Sequence, residues 1–286
     1  MSIHGVLGES TSYPKSYSPE VLYPISRTLG RGHINYDTNK LCVGVDWWHA
    51  FEVSWLNSQG ISQVALARFS IPATSTNIVE SKSLKLYLNS LNFTEFDDWQ
   101  TVQQTISKDL SEAVGASVTV QLFDLSTINS ISGLLIDQPQ GQCIDQALVQ
   151  TAEKIALTEH PDACLLGKLD MQSDTAELQD YQLYSNLLRS NCPVTNQPDW
   201  GTVAIEMTTD IEVNQANLLK YILSFRQHNG FHEQCVEQIF ADLSQYFHPA
   251  SLMVRAWYTR RGGIDINPCR ASDISVLPKP TRLVRQ

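Results

Sequence analysis

The chain repeats itself, and that restricts the folds open to it more than any other feature. With Lys85 set against Lys220, Ser83-Leu84-Lys85-Leu86-Tyr87-Leu88 lies beside Leu218-Leu219-Lys220-Tyr221-Ile222-Leu223, and Phe96 beside Phe231. Allowing a gap or two, Val102-Gln103-Gln104 matches Val236-Glu237-Gln238 and Asp109-Leu110-Ser111 matches Asp242-Leu243-Ser244. Ser117-Val118-Thr119-Val120 then falls near Ser251-Leu252-Met253-Val254. Each copy reads as an alternating strand (64–71; 202–207), two helical stretches, and a further alternating strand (118–122; 252–258). Leu84, Tyr87, Leu88 and Leu91 in the first copy recur at helical spacing, as do Val236, Ile239, Phe240, Leu243 and Phe247 in the second, and all are expected in the core. Strands bounding paired helices imply an α+β fold of antiparallel sheets with the helices on one face, in which two copies can cover each other. Residues 126–185, rich in Gln, Asp and Ser with little periodicity, are expected to form the connection and an inserted excursion. The chain is thereby divided into modules 1–170 and 171–286.

A formal net charge of -10 argues against DNA or RNA as the main partner, since such proteins carry a surplus of Lys and Arg. Residues 251–286 break that balance, with seven basic side chains against Asp265 and Asp273. An anionic ligand docking there and a solvated basic tail account for this equally well. Six cysteines lie far apart without a CxxC pair, which fits reduced thiols better than a disulfide frame or a zinc knuckle. Met1-Ser2-Ile3-His4-Gly5 is not a basic segment leading into an apolar run, and no apolar stretch is long enough to cross a bilayer, so a cytoplasmic location without membrane contact is expected.

The most chemically distinctive segment is Ser190-Asn191-Cys192-Pro193-Val194-Thr195-Asn196-Gln197-Pro198-Asp199-Trp200-Gly201. A thiol and a carboxyl stand seven residues apart in a strand-entering loop that two prolines keep out of helix. A buried structural thiol is the commoner fate of a cysteine, but the polar flanks favour a partly exposed nucleophile. In the repeat register Cys192 is opposed by Asn57, Asp199 by Val64, and His232-Glu233 by Asp97-Asp98; conversely Glu80-Ser81-Lys82-Ser83 is opposed by the uncharged Gln215-Ala216-Asn217-Leu218. A working site needs both halves and is expected at the seam between modules. His232 and Glu233 open an amphipathic helix, where capping and the helix dipole are the plainer account. No Gly-x-Gly-x-x-Gly loop is present, which argues against a Rossmann domain.

The Cys192 loop resembles a known family, as do Glu80-Ser81-Lys82-Ser83-Leu84-Lys85, Phe225-Arg226-Gln227-His228-Asn229-Gly230-Phe231-His232-Glu233-Gln234-Cys235, Tyr258-Thr259-Arg260-Arg261-Gly262-Gly263-Ile264-Asp265-Ile266-Asn267-Pro268 and the ending Thr281-Arg282-Leu283-Val284-Arg285-Gln286. Together they are similar to the NADPH-dependent 7-cyano-7-deazaguanine reductases, nitrile reductases of queuosine biosynthesis in the tunnel-fold superfamily, in their long form of tandem modules. Gly230, where many long members carry an acid, and a stretch around 155–180 that is longer than usual are the departures.

The resemblance implies that Cys192 attacks the nitrile carbon to give a thioimide, that NADPH reduces it, and that a second NADPH takes the released imine to the amine. It implies that Asp199 donates the proton and helps deprotonate Cys192, and that His232 orients substrate or shuttles a proton; for the first role the Asp199 pKa would need to rise, and Pro198 and Trp200 as chain neighbours are expected to supply a partly desolvated setting. Glu233 and Glu80 would recognise the guanine-like base, with Val79 and Ser81 beside them. Ser81, Lys82, Arg261 and Gly262 would hold NADPH, and the chain would form a homodimer. A zinc-dependent, cyclohydrolase-like enzyme using Cys192, His232 and Cys235 is disfavoured, because Cys235 falls on the apolar stripe beside Val236 and Ile239. A non-catalytic purine-binding module is the remaining alternative.

Overall fold

The computed structural model describes residues 13–129, 133–149, 155–156, 158–167 and 174–286; the chain start and part of the 155–180 stretch lie outside them. The elements of the first half are β1 (Pro24–Ser26), α1 (Arg27–Arg31), β2 (Gly44–Leu56), β3 (Ser62–Pro72), β4 (Asn77–Val79), α2 (Ser81–Ser90), α3 (Trp99–Val114) and β5 (Thr119–Phe123). After the short β6 (Ile136–Asp137) and β7 (Gln142–Cys143) come β8 (Asp174–Asn191), β9 (Pro198–Ile211), α4 (Gln215–Ser224), α5 (His232–Phe247), β10 (Ser251–Tyr258), β11 (Ile264–Ala271) and β12 (Arg282–Leu283). One sheet of eight strands runs β5-β3-β2-β11-β10-β9-β8-β7. All its pairings are antiparallel except β7 with β8.

The duplication is visible in contacts as well as in sequence. The helices match in length across the copies, ten residues in α2 and α4 and sixteen in α3 and α5. Tyr87 donates to Asp109 at 2.5 Å and Tyr221 to Asp242 at 2.6 Å, the same bond tying the helix pair together in each copy. Both long hairpins carry a bulge at the matching place, between Ala50 and Val53 in β2 and between Ser185 and Leu188 in β8. The extra residue re-phases the strand, so that Trp48 and Ala50 before the first bulge and Val53 and Trp55 after it all reach one core. The helix bounds set His232 against Trp99 rather than Asp97, because the gaps fall before α3.

Two expectations are corrected. The copies do not cover each other. They join edge to edge through β11 on β2, and each helix pair covers its own half of the sheet with its own core. The stretch 126–185 is also not all connection, since β8 begins at Asp174 and forms the outer strand of the second hairpin. Its side chains Gln179, Asp180 and Gln182 are polar, which removed the alternation that marks a strand with one apolar face.

The seam is closed by buried charge. Arg270 donates to Asp46 and to Glu237, each at 2.7 Å, while Arg27 reaches Asp46 at 2.6 Å and Arg31 reaches Glu237 at 2.7 Å. These groups tie α1 and β2 of the first half to α5 and β11 of the second. No helix among the described residues is long and apolar enough to cross a membrane.

Candidate active site

At this seam lies a cleft lined by Trp48, Val79, Glu80 and Ser81 from the first half, and by Cys192, Pro193, Asp199, Gly230, Phe231, His232, Glu233, Arg261 and Ile266 from the second. Every residue expected in the reductase site from sequence reaches its wall except Lys82 and Gly262. Gly262 lines an adjoining depression with Glu52, Lys85 and Gly263.

Cys192 opens the loop between β8 and β9, the counterpart of the Asn57 loop between β2 and β3. Its N–H donates to Gln197 O at 2.8 Å and its carbonyl accepts from Asn196 N at 2.9 Å, with Asn196 at φ 55°, a left-handed conformation that Asn tolerates well. The loop is fixed against the segment before α5, because Asn191 N donates to His228 O at 2.8 Å and Gly230 N to Asn191 O at 3.1 Å. That pairing carries the thiol to the start of α5, where His232 and Glu233 stand. Cys192 is buried, 7% exposed, rather than partly exposed as expected. Burial raises the thiol, but the Thr195 hydroxyl, the N–H groups of Thr195 and Val194, and Arg261 outweigh it and hold Cys192 below its ordinary pKa.

Asp199 corrects a second expectation. Strand alternation turns Pro198 and Trp200 away from its side, and both are exposed. Arg261 Nη1 donates to its Oδ1 at 2.9 Å, and His232 Nε2 lies 3.4 Å from its Oδ2. Burial pushes the carboxyl up, yet the His232 and Arg261 contacts outweigh burial and leave Asp199 below its ordinary value, an ionised partner rather than a ready acid. The His232 ring lies over Tyr258 with centroids 3.9 Å apart, which fixes its plane.

Glu233 and Glu80 differ in their hydrogen-bond partners. Glu233 is 2% exposed, its Oε1 has no hydrogen-bond partner, and burial with the nearby Asp46 charge raises its pKa to about 8. Glu80 caps α2, accepting from Lys82 N at 3.0 Å and Ser83 N at 2.7 Å, which leaves lone pairs on both oxygens for a ligand. Cys235 is fully buried and absent from the wall, and burial pushes its thiol up to about 12. Among the described residues no group of three His, Cys, Asp or Glu side chains is placed to hold a metal.

The rim suits an anionic cofactor. Gly262 and Gly263, at φ 61° and 80°, make a tight hairpin turn between β10 and β11 that projects Arg261. A Cβ on Gly263 would meet only the exposed end of the Glu52 side chain, which can move aside, so it is the φ of 80° that favours glycine here. Arg261 and Lys85 keep partly exposed side chains there, and Lys82 stands in the first turn of α2. Sequence reasoning missed Trp48, Phe231 and Ile266 on the wall and Thr195 beside the thiol. In an apolar alternating strand an indole reads as core, and only its unpartnered N–H distinguishes it.

Two family descriptions match the chain: "Nitrile reductase, 7-cyano-7-deazaguanine-reductase N-term" over residues 13–122 and "QueF-like protein" over residues 198–275. Relatives named NADPH-dependent 7-cyano-7-deazaguanine reductase are 67% identical in Psychrobacter cryohalolentis and 66% in Psychrobacter arcticus, each over the whole of both chains. One in Acinetobacter baumannii is 54% identical over 98% of both. A solved structure, the archaeosine synthase QueF-Like in the apo form, aligns with 33% of this chain and 91% of its own at 17% identity and a TM-score of 0.29, too distant to carry weight. On sequence, and with the tandem ββαα units and the seam cleft described above, the chain belongs to the family of NADPH-dependent 7-cyano-7-deazaguanine reductases.

Proposed function

We propose that the chain reduces the nitrile of 7-cyano-7-deazaguanine to the aminomethyl group of 7-aminomethyl-7-deazaguanine, through a covalent bond to Cys192. The observation that carries this reading is a buried thiol held toward its thiolate in a cleft that also holds a carboxylate, an imidazole and two further acids.

Thiolate sulfur adds to the nitrile carbon, one C–N π bond opens, and the nitrogen takes a proton to give the thioimide. His232 and, once Arg261 releases its carboxylate, Asp199 are placed to supply that proton. Two NADPH molecules, bound in turn, would each supply one hydride to the four-electron reduction, and a second proton reaches nitrogen as the imine becomes the amine. Between the two hydride transfers the sulfur–carbon bond breaks, Cys192 leaves as thiolate, and Thr195 and Arg261 stabilise it as they do in the free protein. Glu233 and Glu80 grip the base, with Val79 and Ser81 lining its place. Arg261, Lys82, Ser81 and the Gly262 turn bind the cofactor.

Modules divided near residue 170, a homodimer and a cytoplasmic location belong to the same reading. Turnover of the nitrile with two NADPH oxidised per amine formed supports it. Binding of the nitrile with no NADPH consumed makes the chain a purine-binding module instead.

A further inference from the structure

Four polar atoms of cleft-lining residues are buried without a hydrogen-bond partner: both ring nitrogens of His232, whose Nε2 faces Asp199 at 3.4 Å, together with Glu233 Oε1 and Trp48 Nε1. Glu233 and Trp48 are 2% and 1% exposed, so bulk solvent does not reach them. Leaving a buried donor unmade is costly, because its bond to water is lost and nothing replaces it. A phenylalanine on β2 would fill the same core beside Val79 and Ile266 without that cost. The indole N–H is therefore better explained by a ligand than by packing.

A deazaguanine base carries complementary groups in a fixed order. Its six-membered ring presents an exocyclic amine and a ring N–H, both donors, and next to them a lactam oxygen that only accepts. Glu233 can accept from the donors but cannot satisfy the oxygen as a carboxylate. Trp48 brings what is missing, a donor with no acceptor capacity. An adenine-type edge, with an amine where the lactam oxygen stands, would set N–H against N–H.

We propose that Trp48 is a specificity residue of this site, donating its indole N–H to the lactam oxygen of the base while Glu233 accepts from the adjacent N–H groups. This rests on the deazaguanine reading above. Unmet polar groups in a closed pocket discriminate more strongly than apolar fit, because the wrong ligand leaves them buried and unpaired.

The test is calorimetric titration of the Cys192→Ala protein, which cannot form the covalent bond, with and without Trp48→Phe. The probes are 7-cyano-7-deazaguanine and its analogue lacking the lactam oxygen. Loss of one neutral hydrogen bond weakens the lactam roughly tenfold on Trp48→Phe, while the analogue binds both proteins alike. Equal losses for the two ligands, or none for the lactam, overturn the assignment. Failure of Cys192→Ala to bind the lactam at all, with wild type also inert toward it, sinks the deazaguanine reading itself. Should Trp48→Phe not fold, a crystal structure of Cys192→Ala with the lactam decides. Nε1 at ~2.7–3.2 Å from the lactam oxygen supports the proposal, and an indole N–H directed elsewhere overturns it.

Discussion

Arg261 Nη1 stands 2.9 Å from Asp199 Oδ1, so the cation expected to hold cofactor is, in the free protein, the partner of the expected acid. The two roles are linked through one guanidinium. Phosphate binding at Arg261 competes with Asp199, and an Asp199 freed of that charge rises toward its ordinary value and becomes a better proton donor.

The Arg261→Gln variant is expected to weaken NADPH binding roughly tenfold or more, the size of a lost charge-assisted hydrogen bond, as measured by quenching of intrinsic fluorescence. It also removes one of the groups that lower Cys192, so alkylation of that thiol moves to higher pH. Unchanged cofactor affinity contradicts the assignment.

Thr195 heads the groups that hold Cys192 toward its thiolate. Replacing it by valine keeps the shape of the loop and deletes the hydroxyl donor, so the thiol rises. The Cys192 alkylation profile, followed peptide by peptide in a mass spectrometer because Cys143 and Cys164 are exposed, shifts to higher pH. At pH 7 the reaction slows roughly several-fold, as expected when thiolate is the reacting species.

Glu233 is raised to about 8 by burial and by Asp46. With the folded value above the unfolded one, the native state holds the extra proton, so the stability this group contributes is present at low pH and lost as pH climbs from ~4.5 to 8. The melting temperature of Glu233→Gln relative to wild type therefore rises across that window, at about 2–4 °C per kcal/mol. A ligand that donates N–H bonds to Glu233 lowers its pKa. Binding at pH 7 then releases protons, seen as a dependence of the calorimetric enthalpy on the buffer's ionisation enthalpy.

Much of this arrangement was legible because duplication exposes chemistry. A residue type present in one copy and absent from the other, as with Cys192 against Asn57, has escaped the demands of the shared fold, whereas Glu80 stands by helix bounds against Asn214, which caps α4 as Glu80 caps α2. Helical spacing found the cores around Tyr87 and Phe240 because one face of each helix is buried. What stayed hidden depends on partners far apart in the chain. Asp46 and Arg270 are separated by 224 positions, and neither sits in a periodic pattern that announces an ion pair. The protonation of Asp199 was misjudged for the same reason. Its chain neighbours point away, and the groups that set its charge arrive from α5 and the Gly262 turn.

Arg270 is fully buried between Asp46 and Glu237. Truncation to alanine leaves two carboxylates under the seam with reduced compensation and is expected to cost about 3–5 kcal/mol in urea unfolding. A double change of Arg270 and Asp46 to apolar residues of similar volume should recover part of the loss. A single variant as stable as wild type contradicts the structural role given to this cluster.

The most direct test of the catalytic account is intact-protein and peptide mass spectrometry after incubation with 7-cyano-7-deazaguanine and no NADPH. The account predicts a gain equal to the mass of the nitrile, confined to the Cys192 peptide, absent in Cys192→Ala, and lost when NADPH is added as amine appears. Amine formation by the Cys192→Ala protein, or by wild type that never carries the adduct under any trapping condition, would contradict it.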